Sequence, residues 1–315
     1  MKRTPIILDG DPGHDDAIAW VLACQAPELD IRAAVAVNGN VGLDKTYYNA
    51  LRILTMLGRT TIPVGRGAAA SLNGLVMTAP TIHGESGLDG PKLPEPAQTC
   101  GVIDGLQLMI KTLEDAEEPV TIVATGPLTD VAILCSCRPD LKSKIGMISL
   151  MGGGIQSGNW TPAAEFNILL DPEAAHMVFH AGVPIVMMPL DTTEKAYVTP
   201  NDFERIKALG NPVAQVVYQW LEFFYKFHKG IGYPGAPLHD PCAVGYLLHP
   251  EIFQTRDIFV DIERGGRYTR GRTVGDIYDK SHQKPNATVS LGIDRQAFVE
   301  MIIEACASYG GNDHE

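Results

Sequence analysis

Asp9, Asp11, Asp15 and Asp16 fall within one eight-residue segment, Asp9-Gly10-Asp11-Pro12-Gly13-His14-Asp15-Asp16, which contains no lysine or arginine. Carboxylates held this close repel one another, and burying them together is costly unless something positive compensates. Any one of them could cap a turn or favour the positive end of a helix. All four together point to a bound cation. Oxygen donors select a hard ion: Ca²⁺ first, because it tolerates more ligands and looser geometry, and Mg²⁺ second.

Three further groups carry chemistry. In His239-Asp240-Pro241, Asp240 either caps the helix that follows or completes a cation cage. His83 and His239 flank glycine-rich loops, where an imidazole is available for proton transfer. The segment Asn159-Trp160-Thr161-Pro162-Ala163-Ala164-Glu165-Phe166-Asn167 offers two amides and a carboxylate to sugar hydroxyls, with aromatic rings to exclude water. His176 and His180 stand one helical turn apart but lack the H-E-x-x-H pattern, so they read as ordinary helix residues.

These residues need elements to position them. Ile6–Leu8, Ile31–Val37, Val120–Ala124, Ile145–Met151 and Val183–Met188 read as buried strands. Helical spacing runs through Asp15–Ala26, Lys45–Leu57, Leu106–Leu113, Leu128–Leu134 and Pro172–Ala181. Continuous apolar strands alternating with helices predict an α/β fold, an open and mostly parallel sheet flanked by helices. Asn201–Leu209, Val213–His228 and Pro241–Leu248 add helices towards the C-terminus, and Phe259–Glu263 and Ala287–Leu291 are expected as added strands. Ligands of such sheets bind beyond the carboxyl ends of the strands. Asp9-Gly10-Asp11, Asn38-Gly39-Asn40, Thr125-Gly126-Pro127, Met151 with its glycines, and Asp191-Thr192 all fall there. The stretch Gly65–Pro96, dense in Pro and Gly, reads as a long functional loop.

Composition narrows the partners. With 25 basic and 37 acidic residues the formal charge is −12, and no basic stripe is present. Nucleic acid and anionic membrane are therefore poor partners, whereas a small neutral substrate or a cation fits. No run approaches the ~20 apolar residues of a membrane span. The start, with Lys2 and Arg3 before a short apolar run ending at Asp9, lacks the features of a signal peptide. The six cysteines, Cys24, Cys100, Cys135, Cys137, Cys242 and Cys306, form no C-x-x-C pair. A cytoplasmic protein with reduced thiols is expected. No repeat or linker divides the chain, so residues 1–315 are expected to form a single domain.

Taken together, these motifs resemble the inosine-uridine preferring nucleoside hydrolase family. D-x-D-P-G-x-D-D stands here as Asp9 to Asp16. Ile82 to Gly90 is similar to the family's His-containing loop. Met151 to Gly154, Glu165 to Asn167 and Asp171 to Ala175 are similar to its sugar-binding segment. His239-Asp240-Pro241-Cys242 is similar to its last metal and leaving-group motif, and Lys284 to Thr288 extends the match. Within the family the likeness is strongest to bacterial ribonucleoside hydrolases that prefer pyrimidine nucleosides.

The resemblance implies a Rossmann-like nucleoside hydrolase fold and calcium-dependent hydrolysis of a ribonucleoside such as uridine, cytidine or inosine. Asp11, Asp16 and Asp240, with the Thr125 carbonyl, would hold Ca²⁺, and Asp9 would orient the cluster. Asp11 would also accept a proton from a calcium-bound water. Asp15, Asn40, Asn159, Glu165 and Asn167 would bind ribose hydroxyls, with Met151 and Phe166 lining the pocket. His83 and His239 would face the base, His239 as its proton donor, and Tyr225 and Tyr233 are candidate base contacts. A dimer or homotetramer is implied. Such hydrolysis passes through an oxocarbenium-like sugar and needs a nucleophilic water, a stabilised sugar cation and an activated leaving group.

Three positions depart from the family pattern. Gly10 replaces the usual Cys or Thr, a change expected to affect packing only. Asn38 and Val41 are unusual and are expected beside the site, where they bear on substrate preference. Two rival functions compete. A non-catalytic nucleoside-binding protein should have lost Asp11 or a metal ligand, and all are present. A metal-dependent phosphatase built on Asp9-x-Asp11 wants a lysine in context, and a negative site disfavours an anionic substrate.

Overall fold

The computed structural model describes residues 3–97 and 101–311, so Lys2 and Cys100 lie outside the described residues. The first half builds up by crossovers. Short apolar runs pair as strands, Gly- and Asp-rich corners turn the chain, and helices return across the sheet. This produces β1 (Thr4–Gly10), α1 (His14–Gln25), β2 (Leu29–Ala36), α2 (Leu43–Met56) and β3 (Val64–Arg66). The long loop after β3 carries only a short helix, α3 (Pro80–His83). Then come β4 (Ile103–Asp104), α4 (Gly105–Asp115), β5 (Val120–Ala124), α5 (Thr129–Cys137) and β6 (Ile145–Met151). After β6 follow α6 (Phe166–Leu170), α7 (Pro172–Phe179), β7 (Ile185–Met188) and α8 (Leu190–Thr193).

The remainder is richer in helix: β8 (Tyr197–Val198), α9 (Pro200–Ala208), α10 (Pro212–Gly230), β9 (Ala236–Pro237) and α11 (Pro241–Leu248). It closes with β10 (Phe253–Ile258), β11 (Val260–Ile262), β12 (Thr273–Gly275), β13 (Ala287–Ile293) and α12 (Arg295–Ser308).

Among the described residues nine strands form one sheet in the order β10-β13-β7-β6-β5-β1-β2-β3-β4, and β8 with β9 and β11 with β12 form two small antiparallel pairs. All pairings of the large sheet are parallel except β10 with β13. Order reverses at β1, which pairs with β2 on one side and β5 on the other, the place where such sheets bind ligands. One face buries Trp20, Trp220, Phe224 and Phe298 beneath α1, α10 and α12. The other buries Met109, Leu113, Val131 and Phe179 beneath α4, α5 and α7. Residues His14 to Cys24 of α1 are all buried, because α10, α11 and α12 cover the side facing away from the sheet.

The expected α/β architecture is present, with two differences at the margins. The strand expected over Phe259–Glu263 is β11, which pairs with β12 in a separate two-stranded sheet. The antiparallel edge of the main sheet is β10 instead, and four exposed residues in its middle, Gln254 to Asp257, hide it from an apolar-run reading. Likewise β3 and β4, of three and two residues, are too short to leave a pattern. Among the described residues no helix is long and apolar enough to cross a membrane. Cys24, Cys135, Cys242 and Cys306 are buried free thiols and Cys137 is an exposed one.

Candidate active site

Strand β1 delivers the carboxylate segment to the switch point of the sheet. The corner into α1 closes on itself: the Gly13 N–H donates to Asp16 Oδ2 at 3.0 Å. Asp9 stands opposite Ala124 in the β1–β5 pairing, so Thr125 lies next to Gly10. Thr125 Oγ1–H therefore reaches Asp16 Oδ1 at 2.7 Å. From the end of β2, the Asn40 backbone N–H donates to Asp11 Oδ2 at 2.6 Å. Its side-chain Nδ2 donates to the Asp11 carbonyl at 3.1 Å and to Asp16 Oδ2 at 3.2 Å. Only glycine fits at Gly39, where a Cβ would stand 1.9 Å from Asp11 Oδ2.

From α11, which packs beside α1 on the same face of the sheet, Asp240 completes the cluster. One oxygen each of Asp15, Asp16 and Asp240 lie within 4.8 Å of one another, with Asp11 beside this triad. All are buried. Burial first, and the neighbouring carboxylates second, hold Asp11 and Asp240 well above the usual carboxylate range. The same causes push Asp15 up to about 8 and raise Asp9, while burial alone raises Asp16 against hydrogen bonds from Gly13 and Thr125 that lower it. Among the described residues no lysine or arginine forms an ion pair with any of them. Asp9 Oδ1 and Asp15 Oδ1 are buried without a hydrogen-bond partner. Orphaned anionic oxygens converging without a counter-charge are what a hard cation would satisfy, so the donor set fits a metal of the Ca²⁺ or Mg²⁺ type.

The cluster floors a cavity of about 920 Å³ counting its mouth, which Asp11, Asp15, Asn40, Thr125 and Asp240 line from below. Asp16 lies just beneath, fully buried. On one wall stand Met151, Asn159, Trp160, Glu165, Phe166 and Asn167. Glu165 is more constrained than its sequence suggests. It caps α6, with Oε1 accepting from the Asn167 N–H at 2.9 Å and Oε2 from Gly153 and Ile168 at 2.9 and 3.1 Å. Asn167 Nδ2 donates to the Thr125 carbonyl at 2.8 Å and to the Met151 carbonyl at 3.2 Å, joining β5 and β6 at the wall. Asn159 Oδ1 accepts from the Phe166 N–H, and the Trp160 and Phe166 rings meet 4.8 Å apart.

Imidazoles and aromatics form the opposite wall. His83, carried by α3 in the long loop, lines it, and the His14 backbone N–H lies 3.3 Å from its Nδ1. The His14 ring stacks on His83 at 5.4 Å and on Phe224 at 5.7 Å. His239 Nδ1 is 2.8 Å from Thr193 Oγ1. Burial pulls His14 down to about 4, His239 down to about 3 and His83 well below its ordinary value, so these rings are neutral near pH 7. Tyr233 lines the cavity and its hydroxyl donates to Glu194 at 2.9 Å.

Several expectations need correction. Tyr225 does not line the cavity: its ring packs edge-on against Phe203 in a shallow depression with Tyr218. The periodicity of α10 explains this, because Phe224, Phe227 and His228 form the cavity-facing stripe and Tyr225 falls off it. That stripe, with Ile231, Glu194 and Thr81, is what a motif reading misses, since its spacing is also that of a core helix. Asn38 and Val41 do stand beside the cavity, flanking Asn40, and line a neighbouring depression with Asp44 and Arg66. Asp191 instead braces the loop after β6 by accepting from the Ile155 N–H at 2.8 Å. Gly10 bears on more than packing, because a Cβ there would stand 2.5 Å from Thr125 Oγ1 and 2.6 Å from Asp16 Oδ1. Among the described residues no lysine or arginine lines the cavity, which argues against a phosphorylated substrate.

Comparison with known proteins agrees with this geometry. Residues 6–300 match the model of the inosine-uridine preferring nucleoside hydrolases. The pyrimidine-specific ribonucleoside hydrolase RihA of Escherichia coli O127:H6 (strain E2348/69 / EPEC) is 52% identical over 307 residues, covering 97% of this chain and 99% of its own. RihA of Citrobacter koseri (strain ATCC BAA-895 / CDC 4225-83 / SGSC4696) is 53% identical over 310 residues, with 97% and 98% covered. Among solved structures, a purine-preferring ribonucleoside hydrolase from Gardnerella vaginalis superposes with a TM-score of 0.91 at 27% identity, covering 98% of this chain and 99% of its own. A plant nucleoside hydrolase, the PpNRh1 enzyme, gives 0.89 at 30% identity, with 97% and 99% covered.

Proposed function

This chain belongs to the inosine-uridine preferring nucleoside hydrolase family, and from that premise we propose that it is a calcium-dependent ribonucleoside hydrolase acting preferentially on pyrimidine nucleosides. Water adds to the anomeric carbon, the N-glycosidic bond breaks, and ribose and the free base leave. The observation that carries this reading is the set of uncompensated carboxylates at the floor of a cavity walled by amides on one side and imidazoles and aromatics on the other. The pyrimidine preference rests on the likeness to the two RihA proteins. We read residues 1–315 as one catalytic unit, active as a homo-oligomer.

Asp11, Asp16 and Asp240, with the Thr125 carbonyl, are the residues that would hold Ca²⁺, and Asp15, one of whose oxygens lies within 4.8 Å of those of Asp16 and Asp240, is a fourth carboxylate at hand. Bound there, calcium would supply the missing positive charge and acidify water beside the sugar. Asp11 takes the proton of the attacking water. Its Oδ2 is fixed by the Asn40 N–H, which leaves Oδ1 for that task. Asp15, Asn40, Asn159, Glu165 and Asn167 engage the ribose hydroxyls, and Met151 and Phe166 shape the pocket around the ring. A substrate lacking the 2′-hydroxyl would leave buried polar groups unpaired, which predicts strong rejection of deoxyribonucleosides. His83 and His239 face the base. In the tautomer in which Nδ1 accepts from Thr193 Oγ1–H, neutral His239 carries its proton on Nε2 and donates it as a hydrogen bond to the departing base, which takes up its own proton from water.

The test is ribose release from uridine, cytidine, inosine and 2′-deoxyuridine in excess calcium. The reading expects release from the three ribonucleosides, fastest for the pyrimidines, and none from 2′-deoxyuridine. No release from any of them would remove the nucleosidase assignment.

A further inference from the structure

The last turn of α7 brings two imidazoles onto one carboxylate of the small β11–β12 sheet. His176 Nδ1 lies 2.8 Å and His180 Nε2 3.2 Å from Asp261 Oδ1. The two rings are 4.4 Å apart, and the three donor atoms all lie within 4.8 Å of one another. None of the three lines the catalytic cavity. Their side chains are 25%, 40% and 41% exposed, so an ion can enter from solvent. We propose that His176, His180 and Asp261 form a second metal site, one that takes a transition-metal dication of the Zn²⁺ type, with water completing its coordination.

Donor chemistry separates this site from the carboxylate cluster. Two imidazoles and one carboxylate suit Zn²⁺, Ni²⁺ or Cu²⁺, whereas an all-oxygen set suits Ca²⁺. Tetrahedral coordination with bonds of about 2.0–2.1 Å spaces its ligand atoms about 3.3 Å apart. The two spacings to Asp261, 2.8 and 3.2 Å, lie close to that value, and the two ring nitrogens lie within 4.8 Å of each other. At present both rings must place a proton on the nitrogen facing the same Asp261 oxygen, which also accepts from the Ile262 N–H at 2.8 Å. A dication replaces both protons at that point. Each ring then carries its proton on its other nitrogen, so neutral imidazoles bind without net proton loss. The position is also electrostatically favourable, because His176 and His180 stand at the C-terminal end of α7, where a helix attracts positive charge.

The ion would tie the end of α7 to β11, whose flanking Val260 and Ile262 are buried. The other end of α7 is pinned by Asp171, which accepts from the Ala174 N–H at 3.1 Å and from Thr129 Oγ1 at 2.7 Å. That end directly follows α6 and Asn167, so the metal would staple the scaffold behind the sugar-binding wall without touching the substrate. The inference stands independently of the hydrolase reading.

The experiment is calorimetric titration of Zn²⁺ into the full chain kept in excess Ca²⁺, comparing wild type with His180→Ala and Asp261→Asn. The expected result is one saturable Zn²⁺ per wild-type chain that is weakened at least tenfold in each variant, together with a rise in Tm on Zn²⁺ addition in wild type alone. Asp261→Asn, close in shape to the native residue, keeps the test readable should His180→Ala fold poorly. Zn²⁺ binding of equal stoichiometry and affinity in wild type and variants, or no saturable binding at all, would overturn the proposal. Uridine hydrolysis in both variants is expected within twofold of wild type, so failure of this site and failure of the hydrolase reading are told apart.

Discussion

The backbone N–H of Asn40 donates to Asp11 Oδ2 across 2.6 Å and joins the loop after β2 to the loop after β1. The same residue's side chain reaches Asp16 at 3.2 Å, so one asparagine orients both carboxylates. Glycine at position 39 is what lets Asp11 come this close to the backbone. Two strand ends that meet only in the folded sheet are thereby converted into one rigid group.

On this account Asp11→Asn removes the base while nearly conserving shape. With uridine at saturating calcium, kcat should fall by about 10²–10⁴-fold. Steady-state kinetics would check it, and a kcat within threefold of wild type would remove Asp11 from the mechanism.

The Thr125 side chain would act on a bound metal through Asp16. Thr125→Val deletes the 2.7 Å bond to Asp16 Oδ1. It should weaken calcium binding by about 10–100-fold, as is typical for partners of metal ligands. Titration calorimetry reads the affinity, and part of the lost activity should return at high calcium.

Tyr233 and Tyr225 stand eight residues apart, yet only Tyr233 lines the cavity. Tyr233→Phe loses the hydroxyl contact to Glu194, worth about 1 kcal/mol, and KM for uridine should rise about fivefold with little change in kcat. Tyr225→Phe should leave both constants within twofold of wild type. Equal effects of the two substitutions would contradict the placement of α10.

His228 is a neutral ring in the folded protein. Its Nδ1 bonds the Phe224 carbonyl at 3.0 Å, and burial holds its pKa below the ordinary value. The unfolded chain, titrating near about 6.5, therefore takes up the proton first. The stability contributed by His228 is intact above that pH and is lost as pH falls below it. His14 and His83 shift in the same direction, whereas the raised carboxylates work the opposite way. Comparison with His228→Gln cancels those contributions. In excess calcium, the drop in Tm from about pH 7.5 to about pH 5.5 should be smaller in the variant than in wild type. Equal drops would show that His228 is not held neutral.

Much of this was legible in the sequence because it is local. The carboxylate segment spans one strand-to-helix corner, and buried parallel strands announce themselves as apolar runs. The family resemblance orders the remaining motifs. What stayed hidden depends on contacts between distant segments. The cavity-facing stripe Phe224, Phe227 and His228 has the spacing of any core helix, and only the fold shows that it borders a cavity. Glu165 reads as a free carboxylate, but three backbone N–H groups occupy it once α6 forms. The pairing of His176 and His180 with Asp261 joins residues about eighty positions apart, beyond any local pattern.

Uridine hydrolysis by wild-type protein should be measured before and after chelation, and again after calcium is restored. Ribose release should disappear when the metal is stripped and return on addition of Ca²⁺. Undiminished release from protein shown by elemental analysis to be metal-free would contradict it.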